Sequence, residues 1–465
     1  MKLINTIQDS YYGVVSYIYQ FPSGLRVFHA INKNTVDFKL SINFKAGMLL
    51  EDQINVPRGT AHFLEHLLVY ASNKTFDSRT EMDKFSFGNS KRPAFWFNAS
   101  SGYRFITFDA IGHNKGADRM FTLLNAQLDY DLEKLFEASE IEKQRSIIIS
   151  ELKRKPREDM DPGLLYDKLF MNSSNPLFAQ RSIGTLESVS SITKDHLSLF
   201  LQTFFSVNNV VVGIESNSKL TKNLKDKLQK LDNTFSSYKN SFKTDYKFKP
   251  LDFDFRYGHF KDIHKQDVFC SFNLFHDTDP TKEVDYKKNA QRFMVLDLVG
   301  RVMNEYLREQ KMLIYGAKTF NQLLFPGVLN KGFNFNVPAE KLLETFDAIE
   351  YVITKYAKEF INSSSGEEFF ESMKSKYIFK RDTLLPDTYT EDRACDILNG
   401  YFMNNDQDLF EKEILKMTKS DLIKSFESHF KLPSGIWLVS SLEDSEVLKI
   451  FETSKLYSFL KNRKH

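Results

Sequence analysis

The feature that most constrains this chain is a pattern that recurs near the end of each half. The segment SITKDHL begins at residue 191 and KMTKSDL begins at residue 416, and each precedes an apolar segment of strand character, NNVVVGIES or SGIWLVSS. A motif that returns in the same helix-then-strand context predicts a tandem duplication of one α+β unit. The alternative is a chance similarity between two capped helices.

The rest of the chain divides in the same way. Each half begins with alternating apolar segments that predict paired strands, continues with helical segments and ends with the strand named above. We therefore predict an α+β fold of two duplicated half-domains, each a mostly antiparallel sheet packed with helices. The predicted bounds are 1–235 and 256–465, with a linker at 236–255. A chain of 465 residues is also too long for one ordinary core.

Charge and cysteine content exclude several classes of function. The 63 basic and 61 acidic residues give a net charge of +2, which argues against a nucleic acid or a membrane surface as the main partner. The two cysteines show no Cys-x-x-Cys spacing, so we expect neither a disulfide framework nor a zinc site with cysteine ligands. Because no apolar segment resembles a signal peptide or a membrane span, we expect a soluble cytoplasmic protein.

Residues 59–68, GTAHFLEHLL, contain a His-x-x-Glu-His motif. In a helix, His62 and His66 are four residues apart and lie on one face, as two imidazoles need to do to share a metal ion. Glu65 lies at the edge of that face, where it could take a proton from a metal-bound water. The alternative is an ordinary amphipathic core helix, because the other residues of the segment are mostly apolar.

A catalytic zinc site usually has a third protein ligand. In the predicted helix 137–155, Glu151 lies on an apolar stripe with Gln144, Ile147, Ile148 and Leu152. A carboxylate on such a face is costly unless it is paired or bound to a metal. Glu151 is therefore the candidate third ligand, and the alternative is a buried ion pair. Glu142 falls roughly opposite and should be solvated.

These motifs together resemble the inverted-motif zinc metallopeptidases of the pitrilysin/insulinase type, especially the short two-domain members similar to mitochondrial processing peptidase. The resemblance covers nearly the whole chain. Its residues are Gly59 with His62–His66, the strand Ser23–Val27, the helix segment Gln144–Glu151, the pair Asn98-Ala99, and in the second half Leu307–Glu309 and Leu313–Tyr315.

The resemblance implies a zinc ion held by His62, His66 and Glu151, with Glu65 as general base. Two departures affect the metal site. Gln144 replaces an outer-sphere glutamate that is common in the family. The spacing from His66 to the third ligand is also longer than usual, through an insertion near residues 90–93, and by spacing alone Glu142 would fit better. Glu151 remains the choice on helix face and local pattern.

The resemblance also implies three substrate contacts. Asn98 and Ala99 would lie on an edge strand that pairs with the peptide backbone. Tyr315 would stabilise the tetrahedral oxyanion, and Arg308 would contact the substrate backbone or a carboxylate. The alternative for the last two is an ordinary solvated helix end and a core tyrosine.

The function that the resemblance implies is a zinc metalloendopeptidase. Two halves closing as a clamshell around a chamber would favour short or unstructured peptides, such as leader or precursor peptides. Related enzymes act as dimers, so we expect a homodimer or a heterodimer with a related subunit. One alternative is a non-catalytic binding or scaffold subunit of a heterodimeric peptidase, and another is a zinc hydrolase that acts on a non-peptide bond.

Overall fold

The computed structural model describes residues 1–9, 14–153, 182–236, 253–277, 285–325, 328–378, 389–398 and 407–463. These residues form two compact units. The first unit contains the described residues up to 236 together with 389–398, and the second contains the others. Most of the predicted linker, 236–255, lies outside the described residues.

The first unit is built on a seven-stranded sheet with the order β1-β2-β3-β7-β4-β6-β5. Only β3 and β7 pair in parallel, and the other neighbours are antiparallel. The strands are β1 Lys2–Asp9, β2 Val14–Gln20, β3 Arg26–Ile31, β4 Asp37–Phe44, β5 Phe95–Ser101, β6 Ile106–His113 and β7 Val210–Ser216.

Helices pack on this sheet and bury one continuous apolar core. The α-helices are α1 Thr60–Tyr70, α2 Arg79–Ser86, α3 Ala117–Leu128, α4 Leu132–Leu135, α5 Ala138–Lys153, α6 Leu186–Ser191, α7 Lys194–Phe204 and α8 Lys222–Ser236. Short 3₁₀ helices occupy Met48–Ile54, Asn114–Gly116 and Val207–Asn209. The strands β1 and β2 were not predicted, since their polar and apolar residues do not alternate cleanly.

The second unit is built on a five-stranded sheet with the order β10-β11-β9-β12-β8. Its one parallel pair is β12 with β8. The strands are β8 Phe255–Lys261, β9 Val268–Asp277, β10 Lys318–Phe325, β11 Val328–Val337 and β12 Ser434–Ser440.

The helices of this unit cover a second apolar core. They are α9 Tyr286–Met303, α10 Leu342–Tyr351, α11 Ala357–Ile361, α12 Ser364–Ile378, α14 Gln407–Lys416, α15 Lys419–His429, α16 Asp444–Thr453 and α17 Lys455–Asn462. A 3₁₀ helix spans Ala339–Lys341, and π-helical turns span Asn304–Gln310 and Val352–Tyr356. None of the described helices is long and apolar enough to cross a membrane.

The two sheets repeat one design. The order β5-β6-β4-β7-β3 of the first sheet corresponds to β10-β11-β9-β12-β8 of the second. In the first unit Nε2 of His29 lies 2.8 Å from Oγ of Ser216, and in the second Nε2 of His259 lies 2.8 Å from Oγ of Ser440. In both cases the serine is two residues beyond the histidine's partner on the parallel strand.

The repeated capped helices that suggested the duplication also match. Thr193 and Thr418 each accept a hydrogen bond from the N3 backbone amide, and the N3 side chain accepts one in return from the threonine amide. The predicted α+β fold of two similar half-domains, each with a mostly antiparallel sheet, is therefore confirmed.

One helix crosses the sequence boundary between the halves. Helix α13, Tyr389–Leu398, follows residues of the second unit in sequence but packs on the sheet of the first. Its residues Ala394 and Ile397 join an apolar cluster with Phe28, and the carbonyl of Ile397 accepts a hydrogen bond of 3.1 Å from Arg26. Apolar burial against β3 and β7 places the helix on this sheet, and the linear order of the chain does not indicate that position.

Candidate metal centre

Helix α1 brings the two histidines of the motif together. His62 and His66 lie on consecutive turns, and their ring centroids are 4.6 Å apart. The remaining apolar residues of the helix, among them Phe63 and Leu64, are fully buried in the core. The helix is thus both a core element, as the alternative interpretation required, and the support for two adjacent imidazoles.

Helix α5 packs against α1 and adds a carboxylate to the pair. Oε2 of Glu151 lies 3.4 Å from Nε2 of His62 and 3.7 Å from Nε2 of His66. One potential ligand atom from each of the three residues lies within 4.8 Å of the other two. Glu142 lies elsewhere, with a side chain 68% exposed and paired with Arg145 at 3.1 Å.

This donor set fits a zinc ion. Two imidazole nitrogens and one carboxylate oxygen are the protein ligands of many catalytic zinc sites. A carboxylate and two histidines held this close in a part-buried position also need a cation, either a proton or a metal. The chemistry of the three donors therefore agrees with the metal that the motif implies.

The face of α5 that carries Glu151 differs in part from the predicted stripe. Ile141, Gln144 and Ile148 are buried, whereas Ile147 is 37% exposed. The prediction for Ile147 was wrong because at 100° per residue it lies off the line that joins Gln144, Ile148 and Glu151. Glu151 thus stands at the end of a buried face rather than in its middle.

The carboxylates of Glu65 and Glu151 affect the protonation of the two histidines. Burial lowers the pKa of His62, but hydrogen bonds with Glu151 and Glu65 outweigh this and raise the pKa to about 9. Burial lowers the pKa of His66, and the nearby His62 adds to that effect. Without a metal, His62 therefore holds the proton that balances the carboxylates, and a divalent cation would replace that proton.

Ser101, at the end of strand β5, completes the surroundings of His62. Its Oγ lies 2.8 Å from Nδ1 of His62 and 3.5 Å from Oε2 of Glu65. If the serine hydroxyl donates to Glu65, its oxygen can accept from Nδ1–H of His62. This leaves Nε2 of His62 as the free ligand atom on the side of Glu151. The sequence analysis missed Ser101, although it follows the predicted edge strand directly.

Glu51 anchors the N-terminus of α1 and was also missed. Its carboxylate accepts hydrogen bonds from the backbone amides of Gly59 at 3.2 Å and Ala61 at 2.8 Å. Burial raises the pKa of Glu51 to about 8, against the opposing effects of these amides and of Arg58. An acidic residue in the apolar run MLLED was the available signal, because a buried carboxylate needs partners.

Gly59 is required where α1 begins. Its φ is +91°, and a Cβ at this position would lie 2.5 Å from the carbonyl oxygen of Ile183. Only glycine tolerates both the left-handed backbone and the close approach. The glycine of the motif therefore allows the turn that leads into the histidine helix.

Gln144 occupies the buried position on α5 between the core and the cluster. Its Nε2 donates a hydrogen bond of 2.6 Å to Oε1 of Glu140, and its side chain is close enough to His66 to raise that residue's pKa slightly. A neutral amide here adds no charge beside the histidines. The carboxylate that contacts the Gln144 amide is that of Glu140.

The predicted substrate strand lies at an edge. β5 is the last strand of the first sheet and, among the described strands, pairs only with β6. Asn98 is exposed, whereas Ala99 is buried. The strand ends at Ser101, so its open edge leads directly to the histidine cluster.

Arg308 and Tyr315 lie next to each other in the second unit. The guanidinium carbon of Arg308 is 5.5 Å from the ring centroid of Tyr315. Tyr315 is 89% exposed, so it is not a core tyrosine. Asn304 holds the intervening turn by exchanging hydrogen bonds of 2.8 Å with the backbone of Ala317. The roles of Arg308 and Tyr315 in catalysis stay predictions.

Sequence comparison finds two similar curated proteins, while no family model matches the chain. An uncharacterized zinc protease of Rickettsia felis is 24% identical over 161 residues, which are 34% of this chain and 36% of that protein. The uncharacterized zinc protease YmfH of Bacillus subtilis is 28% identical over 165 residues, or 35% of each protein. The chain thus matches only about a third of the length of these relatives.

Solved structures share the fold over nearly the whole chain. The first half of the periplasmic protease PqqL from Escherichia coli has a TM-score of 0.69 at 14% identity, and the match covers 99% of both chains. Pitrilysin has a TM-score of 0.69 at 14% identity over 95% of this chain and 47% of its own. A peptidase M16 inactive domain from Pseudomonas fluorescens has a TM-score of 0.68 at 13% identity, with 92% and 98% coverage.

These similarities agree with the sequence motif. The shared fold covers both units, and the sequence similarity is to proteins named as zinc proteases. The predicted resemblance to the pitrilysin/insulinase-type peptidases is therefore confirmed, with the chain adopting the fold of that family.

Proposed function

We propose that this protein is a zinc-dependent endopeptidase that cleaves short or unstructured peptides. The observation that carries the proposal is the meeting of His62, His66 and Glu151 at one place, with Glu65 beside them. The similarity to proteins named as zinc proteases supports the same reaction class.

His62, His66 and Glu151 would hold the metal. A zinc ion bound there would acidify a water molecule and polarise the scissile carbonyl. The serine at Nδ1 of His62 keeps Nε2 available, and the packing of α1 on α5 holds the imidazoles against the carboxylate.

Glu65 would act as the general base. Its Oε2 lies 3.4 Å from Nδ1 of His62 and within reach of Ser101, so its orientation is held by two neighbours. As general base, the carboxylate would take the proton of the attacking water and later pass it to the leaving amine.

The open edge of β5 would bind the substrate as an additional strand. Backbone hydrogen bonds to a peptide do not depend strongly on side chains, so this mode tolerates many sequences. It also requires an extended backbone, which a folded protein does not offer. Leader or precursor peptides fit this requirement.

By resemblance to the family, Arg308 and Tyr315 would be residues that contact the substrate. The exposed hydroxyl of Tyr315 suits stabilisation of the tetrahedral oxyanion, and Arg308 suits a substrate backbone or carboxylate. A homodimer, or a heterodimer with a related subunit, and a cytoplasmic location belong to the same proposal. One of the similar structures is a periplasmic protease.

The test compares wild type with Glu65→Gln. Both are purified, their zinc content is measured by elemental analysis, and both are incubated with a library of unstructured peptides. We expect bound zinc in both proteins and cleavage by wild type alone. Glu137→Gln, which neutralises an exposed carboxylate at the start of α5, serves as the matched control and should cleave normally.

A protein without zinc and without cleavage would overturn the proposal. Bound zinc without cleavage by wild type would instead favour the non-catalytic subunit, a role for which the inactive M16 domain offers a structural precedent. The presence of Glu65 beside the three potential metal ligands favours the peptidase, because a binding subunit does not need a general base.

A further inference from the structure

The second unit contains a cavity whose charged lining is entirely basic. The cavity has a volume of about 250 Å³ and lies between β9, α9 and α15. Its lining contains no aspartate or glutamate and consists of His276, Lys288, Gln291, Arg292, Val295, Ser425, Ser428, His429 and Leu432. Nothing in the proposed peptidase reaction uses these residues.

Two histidines form the buried part of the lining. Nε2 of His276 lies 3.0 Å from Nδ1 of His429, and both side chains are buried. Nε2 of His429 is buried and has no hydrogen-bond partner among the described residues. When Nδ1 of His429 accepts from His276, Nε2 carries the hydrogen and is an unused donor.

Lys331 adds a buried ammonium group next to the histidines. It pairs with Leu274 across β11 and β9, so its side chain lies on the same sheet face as His276, two residues further along. Lys331 is fully buried, and its Nζ lies 4.8 Å from the ring centroid of Phe293. In the part of the chain that is described, this Nζ has no hydrogen-bond partner.

These basic groups are not a requirement of the fold. The strand register puts Ile106 of the first unit at the position that Lys331 occupies in the second. Ile106 pairs with the β4 residue that lies opposite the first residue of β7. Lys331 pairs with the β9 residue that lies opposite the first residue of β12. Phe204 ends α7 as His429 ends α15. Both first-unit residues are apolar and fully buried.

Within the described residues, the charge around the cavity remains positive when Asp285 is counted. Asp285 lies at the rim, where its Oδ2 is 3.9 Å from Nζ of Lys288 and where it also affects Arg292. Burial and the positive charge of Arg292 lower the pKa of Lys331 to about 7, and its Nζ has no hydrogen-bonded carboxylate among the described residues. Buried cationic groups of this kind are stabilised when an anion binds.

We propose that this cavity binds a small ligand through a phosphate-type, tetrahedral oxyanion. The donors come from two elements, Nε2–H of His429 on α15 and the cationic groups of Arg292 and Lys288 on α9, while His276 on β9 holds His429 in the tautomer that leaves Nε2–H unused. Donors from several directions suit a tetrahedral anion better than a planar carboxylate. Arginine is also the side chain best suited to bidentate phosphate contacts.

The experiment titrates the full-length protein with inorganic phosphate by isothermal calorimetry, with sulfate and acetate as comparison anions. We expect one saturable site for phosphate and sulfate and much weaker binding of acetate. Arg292→Gln should weaken phosphate binding by at least about tenfold, and Lys288→Gln by a smaller factor. Lys287→Gln removes the same charge from the neighbouring exposed position and should leave the affinity within about twofold.

Circular dichroism and thermal unfolding show whether each variant is folded, and Ser428→Ala provides a second, milder change at the rim. Absence of saturable binding of either tetrahedral anion to wild type would overturn the proposal. So would equal losses in Lys287→Gln and Arg292→Gln, because binding would then follow net charge rather than the cavity. Acetate binding as tight as phosphate would overturn the assignment to a tetrahedral anion.

Discussion

The two units share a scaffold of strands and helices and differ in the polar side chains that this scaffold carries. In the first unit, the α-helix that follows β4 is α1, which packs on β5 and on α7 and carries His62 and His66. In the second, α9 follows β9, packs on β10 and on α15, and carries Lys288 and Arg292 instead. The same place in the fold thus supports a candidate metal-binding cluster in one unit and a cationic cavity in the other.

The comparison shows that the pattern of buried apolar residues and the chemistry of the polar side chains on the scaffold vary independently. Strand order, the parallel pair and the capped helix are the same in both units because they depend on buried apolar residues and local capping. The side chains at the shared positions differ without changing the architecture, as expected when function is carried by a few residues on a common fold. Five predictions test this difference.

The largest effect is expected at the metal cluster. Glu151→Gln should lower peptidase activity by more than about a thousandfold, since it removes the only anionic ligand of the proposed zinc site. Glu142→Gln, nine positions earlier on the same helix and solvated, should change activity by less than about twofold. Zinc content and peptide cleavage measure both. Equal losses of activity in the two variants would contradict the choice of Glu151 over Glu142 as the third ligand.

Ile106→Lys would place the second unit's lysine in the first unit. We expect a loss of about 4 kcal/mol in the free energy of unfolding, because the charge would have no partner in a fully buried site. Ile106→Val should cost about 1 kcal/mol. Urea unfolding followed by circular dichroism measures the difference. A lysine variant as stable as the valine variant would mean that the first unit can also accommodate a buried cation.

Glu51→Gln tests the support of the motif helix. In the variant, the NH₂ group replaces one of the two oxygens that accept from the backbone amides of Gly59 and Ala61, so the free energy of unfolding should fall by about 2 kcal/mol at pH 6. Because burial raises the pKa of Glu51 to about 8, the folded protein binds its proton more tightly than the unfolded chain. The stability of wild type should therefore decline relative to the variant as the pH rises from about 5 to about 8.

The neighbouring carboxylate provides the control for that experiment. Asp52→Asn changes an exposed residue beside Glu51 and should produce a small, nearly pH-independent effect. A pH dependence as large in Asp52→Asn as in Glu51→Gln would contradict the assignment to the buried carboxylate.

Zinc binding should depend on pH in the first unit. A metal must displace the proton that His62 holds with a pKa of about 9, so the affinity should rise by about tenfold per pH unit between about pH 6 and 8. Competition with a chromophoric chelator measures this slope. The exposed His264 gives the matched control, since His264→Gln should leave the slope unchanged. A flat profile would show that His62 is neutral before the metal binds.

The smallest effect is the reverse exchange. Lys331→Ile should raise the free energy of unfolding by about 1 kcal/mol, because an unpaired buried amine is replaced by the residue type of the first unit. It should also weaken phosphate binding by the cavity. A destabilised variant that binds phosphate as wild type does would indicate that Lys331 supports the fold and not the anion site.

Local patterns were enough to predict much of the scaffold and part of the site. Apolar alternation predicted β3 to β7, the capping threonines revealed the duplication, and the spacing of His62 and His66 predicted one helical face. Each of these depends on residues within a few positions of one another. The stripe on α5 also separated Glu151 from Glu142, although it misplaced Ile147.

Other features were decided only by contacts between residues distant in sequence. Ser101 reaches His62 because the end of an edge strand meets the motif helix, and Glu51 caps that helix from the preceding 3₁₀ helix. Helix α13 packs on the first sheet although it follows the second unit's residues in the chain.

The basic cavity is the clearest case. His276 and His429 line it and Lys331 lies near them, yet the three are far apart in sequence and each alone resembles an ordinary structural residue. Local pattern fixes which residues can share a helix face or a strand face. Strand register and helix packing then decide which faces meet, and therefore which polar side chains are buried together.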